Sequence, residues 1–143
     1  METKKNTTEL LRDLKKSSRF SDFAKKRCVN MQHPEFTETF NRMYKAQGRS
    51  KAEIARISGT SEAYLYQIFS GARIPSRDRL LCICLGMSAE LDDTQLLLKQ
   101  CGYAPLYVRD QRDAIIMHGL MHATPLGKVN DMLFEYGEKL LLN

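Results

Sequence analysis

The 143-residue sequence predicts an all-α fold. Apolar residues make up 43% of the chain, which is enough for a packed core and too many for a disordered chain. Eight glycines and four prolines are few, and this favours helices over a turn-rich β fold. Apolar residues recur at helical spacing along most of the chain, with no alternating strand pattern of useful length. We therefore expect a helical domain with short additions.

The first 33 residues form a basic segment. Nine basic and four acidic residues lie between Met1 and Arg27, in a chain whose net charge is +5. Two short amphipathic helices are predicted, one on Leu10, Leu11 and Leu14 and one on Phe20, Phe23 and Ala24. Such a segment suits either an approach to phosphate or a solvated tail. It lacks the apolar core of a signal peptide, and no apolar run is long enough to cross a bilayer, so we expect a cytoplasmic protein.

A longer helix opens the body of the chain. Pro34 suits its first position, and Gly48 suits its end. Its apolar stripe consists of Phe36, Phe40, Met43 and Tyr44.

Two short helices follow, separated by a tight turn. Ser50 is a plausible N-cap for a helix over residues 51–57, because Glu53 lies three residues on. Gly59 breaks this helix, and Ser61 caps the next, over residues 62–69, which Gly71 ends. Three buried side chains are expected to hold the pair together: Ile54, Leu65 and Ile68.

The remaining sequence predicts four further helices. The first starts at Pro75-Ser76 and runs through Leu85. The second carries an apolar stripe from Leu91 to Cys101 and stops at Gly102. After a connector over residues 103–107 come helices at about 109–122 and, beyond Pro125, around residues 129–136. Residues 88–143 carry more acidic than basic side chains, and we expect them to pack on the core or to form a dimer contact.

The stretch SKAEIARISGTSEAYLYQIFSGARIPSRDRLLCI, residues 50–83, resembles the Xre/Cro family of helix-turn-helix proteins, which includes lambdoid phage repressors. The matching positions are Ser50, Ile54, Ala55, Gly59, Ser61, Leu65, Ile68, Gly71 and Pro75. The runs over residues 64–81 and 102–116 are also similar to a group of bacterial Xre-like proteins regarded as transcriptional regulators. The resemblance implies a lambda-repressor-like bundle at residues 34–87, between the basic segment (1–33) and a helical extension (88–143).

The resemblance also implies which residues meet DNA. Bases would be contacted by Glu62, Ala63, Tyr64, Tyr66 and Gln67. Phosphates would be contacted by Lys51, Ser61, Arg73, Arg77 and Arg79, with Arg42, Lys45 and Arg49 adding to the positive field. Gln67 suits adenine, Glu62 suits cytosine N4, and Ala63 offers a methyl contact to thymine. Because residues 62–67 contain no arginine, we expect either modest affinity or a need for a dimer.

One departure from the family pattern predicts a contact. Many members pair a glutamate on the second short helix with an arginine on the helix before the motif. Here Phe69 and Tyr44 occupy those positions. A buried ion pair can be replaced by apolar packing when both partners change, so these two rings are expected to touch.

The cysteines and histidines predict no metal site and no cofactor. Cys28, Cys82, Cys84 and Cys101 lack CxxC spacing, so we expect reduced thiols, most of them buried. His118 and His122 lie four apart without a zinc-enzyme pattern, which favours one packed and one solvated histidine. We find no phosphate loop, nucleophile elbow or carboxylate pair with a matching histidine, and we expect no enzyme.

We therefore expect a homodimeric regulator that binds specific double-stranded DNA sequences. The alternative is a protein-interaction module that retains the fold without specific DNA binding, with residues 88–143 as a surface for a protein partner. If Lys51, Arg73, Arg77 and Arg79 surround the exposed face of residues 62–67, DNA binding is favoured. If acidic side chains from the last third cover that face, protein interaction is favoured.

Overall fold

A computed structural model describes residues 6–16 and 33–141. The chain divides into two compact units, residues 1–32 and 33–143. The described part of the first unit is helix α1 (Thr7–Lys16), the amphipathic helix predicted on Leu10, Leu11 and Leu14. The second helix predicted there, on Phe20, Phe23 and Ala24, lies outside the described residues, as does Cys28.

The described residues of the second unit contain seven α-helices, joined by turns and loops, and no β-strand. These helices are α2 (Pro34–Lys45), α3 (Lys51–Ser58), α4 (Glu62–Ser70), α5 (Arg77–Gly86), α6 (Leu91–Gln100), α7 (Gln111–Met121) and α8 (Leu126–Glu135). The prediction of an all-α fold is confirmed for the described residues.

Serine caps begin the three helices that follow α2. In each case the serine Oγ accepts a hydrogen bond from the backbone N–H three residues on: Glu53 at 3.2 Å from Ser50, Tyr64 at 3.0 Å from Ser61, and Arg79 at 3.3 Å from Ser76. Between α3 and α4, Gly59 has φ +71°. Because L side chains rarely adopt this conformation, glycine lets the chain reverse there within three residues.

The end of α2 differs from the prediction. We expected Gly48 to stop this helix, but α2 ends at Lys45 with Ala46 as its C-cap in the right-handed region. The Gln47 side chain then holds the turn, because its Nε2 donates to the carbonyl oxygens of Tyr44 (2.9 Å) and Arg49 (2.7 Å). A side-chain amide therefore supplies the hydrogen bonds that end this helix.

Helix α5 lies at the centre of the core, and every residue from Leu80 to Gly86 is buried. Helices α3, α6, α7 and α8 all pack against it. Cys82 and Cys84 are therefore buried free thiols, as is Cys101 at the end of α6, and the prediction for these three is confirmed.

The C-terminal helices belong to the same compact unit as the two short helices. Two ion pairs join the first turn of α7 to the first turn of α5. Arg77 lies 3.3 Å from Asp113, and Arg112 lies 3.1 Å from Asp78. Among the described residues no helix is long and apolar enough to cross a membrane.

The two histidines of α7 correct a prediction. We expected one to be packed in the protein, but His118 and His122 are both exposed. Their ring centroids are 4.2 Å apart, because side chains four residues apart on a helix lie one above the other. Within the described ranges, no three His, Cys, Asp or Glu side chains are grouped closely enough to hold a metal ion.

Candidate nucleic-acid interface

Helix α4 has one buried and one exposed face. Leu65, Ile68 and Phe69 are buried in the core. Glu62, Ala63, Tyr66 and Gln67 are exposed, with Tyr66 55% accessible, while Tyr64 is half-buried at the margin. Four of the five predicted base-contacting side chains therefore share a face that the described C-terminal helices leave uncovered.

Lys51, at the start of α3, lies along one edge of this face. Its Nζ is 4.7 Å from the ring centroid of Phe69, 5.0 Å from that of Tyr66 and 5.4 Å from that of Tyr44. The Tyr44 and Phe69 rings meet edge-on with centroids 4.9 Å apart, which confirms the contact predicted for them. The faces of aromatic rings attract cations, so the three rings hold the Lys51 ammonium beside the exposed face.

Two arginines lie along the opposite edge. The guanidinium carbons of Arg73 and Arg79 are 5.0 and 5.8 Å from the ring centroid of Tyr64. Arg79 also donates to the carbonyl oxygen of Gly59 at 3.1 Å. Cations thus flank the exposed face of α4 on both sides.

Arg73 lies closer to α4 than its position in sequence suggested. Its Nε donates to Oε1 of Gln67 at 2.6 Å, and its backbone N–H donates to the Gln67 carbonyl at 3.1 Å. No arginine was expected on this face, because residues 62–67 contain none. The signal that could have found Arg73 is Gly71, whose φ of +84° turns the chain back toward the helix.

Arg77 bonds to other residues of the protein, and its predicted phosphate contact stays a prediction. Its Nη2 lies 3.3 Å from the Asp113 carboxylate, and its Nε donates to the carbonyl oxygen of Ala104 at 3.0 Å. With 24% of its side chain accessible, Arg77 links α5 both to the connector before α7 and to α7 itself. We therefore leave Arg77 out of the phosphate-contacting set that we propose below.

Two other predicted contributors also have structural partners. Arg49 donates to the carbonyl oxygen of Gly86 at 2.6 Å and to Ser88 Oγ at 2.9 Å, so it fastens the loop before α3 to the end of α5. Ser61 is exposed, and its Oγ caps α4. Arg42 and Lys45 remain exposed on the last turns of α2.

Comparison with protein families finds a match to the helix-turn-helix family over residues 42–84. These residues form a helix-turn-helix domain of the Xre/lambda-repressor-like type. Searches of curated proteins and of solved structures found no significant match.

The matched range covers the two short helices and parts of their neighbours. It begins near the end of α2, contains all of α3 and α4, and ends within α5. The three cations that flank α4 lie inside it. The match to this DNA-binding family supports a DNA-binding helix-turn-helix regulator in general terms.

Proposed function

We propose that this protein is a sequence-specific transcriptional regulator that inserts α4 into the major groove of duplex DNA. The observation that carries the proposal is the exposed face of α4 with Lys51 along one edge and Arg73 and Arg79 along the other. DNA as the partner also favours a cytoplasmic location, as the sequence predicted.

The dimensions suit this arrangement. A helix with its side chains is about 10–12 Å across, and the major groove is about 12 Å wide. With α4 in the groove, the cations at its two edges face the two phosphate strands. Glu62 and Ala63 at the start of α4, with Tyr66 and Gln67 one turn later, are then the side chains that point toward base edges.

We further propose that the protein binds DNA as a homodimer, because two copies across a two-fold site double the number of base contacts. Support comes from the α7–α8 surface, where a groove of about 620 Å³ runs between the helices. Met121 and Met132 are exposed on these helices, and so is Phe134, 78% accessible. A groove whose lining includes the exposed side chain of Met132 offers apolar surface that a second copy of the chain could cover.

The first test is binding of the full-length protein to duplex DNA from upstream of its own gene, with a scrambled duplex as control. Fluorescence anisotropy at two salt concentrations measures affinity and salt dependence together. We expect tight, salt-sensitive binding that prefers the native duplex, and we expect Gln67→Ala to reduce that preference. Lys99→Gln is the control, because Lys99 is exposed on α6, lies outside residues 42–84 and does not line the α7–α8 groove.

Weak binding that is indifferent to sequence would contradict the proposal. It would favour the alternative function, a protein-interaction module that uses the same fold. The exposed apolar side chains of α7 and α8 would then be the first surface to test for a protein partner.

The dimer is tested separately by multi-angle light scattering at tens of micromolar, with and without DNA. Twice the chain mass of 16.4 kDa is expected for the protein component. A monomer under both conditions would contradict the dimer and leave the DNA-binding proposal standing.

A further inference from the structure

The guanidinium of Arg73 is held against the exposed face of α4 by two side chains of that helix. Its Nε donates to Gln67 Oε1 at 2.6 Å, and its carbon lies 5.0 Å from the ring centroid of Tyr64. Tyr64 and Gln67 are three residues apart, so they are neighbours on the helix surface. A loop arginine is thereby placed beside the helix that the proposed function puts in the groove.

The contact leaves a defined set of donors. The Nε of Arg73 already donates to Gln67 Oε1. Among the described residues, no hydrogen-bond partner is present for its Nη1 or Nη2. These two nitrogens form the end of the planar guanidinium and can donate in parallel to a pair of acceptors. Guanine presents such a pair in the major groove, O6 and N7.

The same contact changes what Gln67 itself can do. A bidentate contact with adenine needs the amide oxygen to accept from N6 and the amide nitrogen to donate to N7. Here Oε1 already accepts a short hydrogen bond from a cation, which is stronger than a bond between neutral groups. Gln67 is therefore better placed to orient Arg73 than to contact a base by its own amide pair.

We propose that Arg73 contacts a guanine in the major groove and determines specificity for it, with Gln67 as the positioning residue. This inference rests on the proposed function. It adds that the DNA sequence preferred by the wild-type protein contains a guanine at the position that Arg73 contacts. It also assigns Arg73 a different role from Arg79, which bonds the turn at Gly59 and acts on phosphate.

The test is selection of duplexes from a randomised library by the full-length protein, followed by sequencing. We expect the wild type to enrich a guanine at one position of each half-site. Arg73→Ala should lose the preference at that position by roughly 5- to 140-fold, the range for one bidentate contact, and keep the others. Arg79→Ala, the matched control, should weaken binding about equally for every sequence.

Two variants test the role of Gln67. Gln67→Leu removes the acceptor and should reduce the guanine preference although Arg73 is still present. Gln67→Glu restores an acceptor and should keep that preference, even if its negative charge lowers overall affinity. Gln67 and Arg73 are both exposed, so circular dichroism should show an unchanged helix content in all of these variants.

Several outcomes would overturn the inference alone. These are an enriched site without guanine, a guanine preference that Arg73→Ala leaves unchanged, and a loss in Arg73→Ala that is equal for all sequences. Loss of an adenine preference in both Gln67 variants would show that Gln67 contacts a base directly. If the wild type enriches no sequence at all, the proposed function fails and the inference fails with it.

Discussion

At the residue scale, two aromatic rings occupy the positions where many members of the resembled family have an ion pair. A lysine ammonium lies close to both rings. Tyr44 and Phe69 pack edge-on, and the Lys51 ammonium lies over both of their rings and that of Tyr66. A cation over an aromatic ring contributes about 0.5–2 kcal/mol, depending on its exposure to water. The rings therefore restrict a flexible side chain to the edge of α4 where DNA phosphate is expected.

Lys51→Gln is the direct test of this phosphate contact. Each phosphate neutralised contributes about 0.9 to the slope of log affinity against log salt concentration. We expect the variant to lower the slope by about that amount and to weaken binding equally for all duplexes. Lys99→Gln, on α6, should leave both quantities unchanged. An unchanged slope in Lys51→Gln would contradict the contact.

Arg77 leads to a prediction about stability. Only 12% of the Asp113 side chain is accessible, and Arg77 is its cationic partner. Arg77→Met should lower the free energy of unfolding by about 1–3 kcal/mol, because it leaves a largely buried carboxylate without that partner. Urea unfolding measures the change.

Arg56→Met is the matched control for Arg77, since Arg56 is exposed on α3. Its free energy of unfolding should change by less than about 0.5 kcal/mol. The salt dependence of DNA binding should be the same in Arg77→Met as in the wild type. A stable variant with a smaller salt slope would return Arg77 to the phosphate-contacting set.

At the element scale, the packing of α7 on α8 depends on a glycine. A Cβ added at Gly119 would lie 2.6 Å from Cγ2 of Val129, a side chain that is buried and stiff. Gly119 thus permits a close approach of the two helices that line the apolar groove. In contrast, a Cβ at Gly127, near the start of α8, would meet nothing within 4 Å.

These two glycines form a matched pair for mutation. Gly119→Ala should destabilise the protein by about 1–3 kcal/mol because the helices must move apart. Gly127→Ala should stabilise it by up to about 1 kcal/mol, because alanine loses less backbone entropy in a helix. Thermal and urea unfolding of both variants would reveal the opposite signs. Equal effects would contradict the close approach at Gly119.

At the scale of the whole molecule, buried thiols lie in the central helix α5 and at the end of α6. Burial raises the pKa of Cys82, Cys84 and Cys101 from the ordinary value of 9.0 to about 12 in each case. Their contribution to stability is complete below pH 9 and is lost as the pH rises toward 12. The reason is that the unfolded thiols lose their protons first, so high pH favours the unfolded chain.

Melting temperatures at pH 7, 9, 10 and 11 provide the measurement. We expect little change up to pH 9 and a steady fall above it. Cys84→Ala should lower the melting temperature at pH 7, since it removes a buried group, and should make the fall above pH 9 shallower. Rapid reaction of Cys84 with a thiol reagent in the native protein at pH 8 would contradict its burial.

The local structure of the two short helices could be predicted from the sequence because short-range interactions determine it. Ser50 and Ser61 cap helices by bonding to backbone groups three residues on, and Gly59 turns the chain by its own conformational freedom. The contact between Tyr44 and Phe69 was predicted too, although 25 residues separate them, because the family resemblance supplied the pairing.

Other features depended on contacts that no local pattern contains. The partner of Arg77 lies 36 residues away on the chain, and the Lys51 ammonium meets rings from two other helices. Arg73 reaches the exposed face of α4 because of the path of the loop after Gly71. The closeness of His118 and His122 could have been predicted from their spacing of four residues on a helix. Their exposure depended on how α7 packs.

The sequence by itself determined the all-α class, the serine N-caps of the short helices and the turn between them, because caps, turns and helical periodicity act over a few residues. Only the tertiary structure decided which basic side chains remain available to DNA. Arg49 and Arg77 are used to fasten helices together, while Lys51 and Arg73 are held beside α4. The physical reason is that a long cationic side chain takes whichever partner the packed helices bring within its reach.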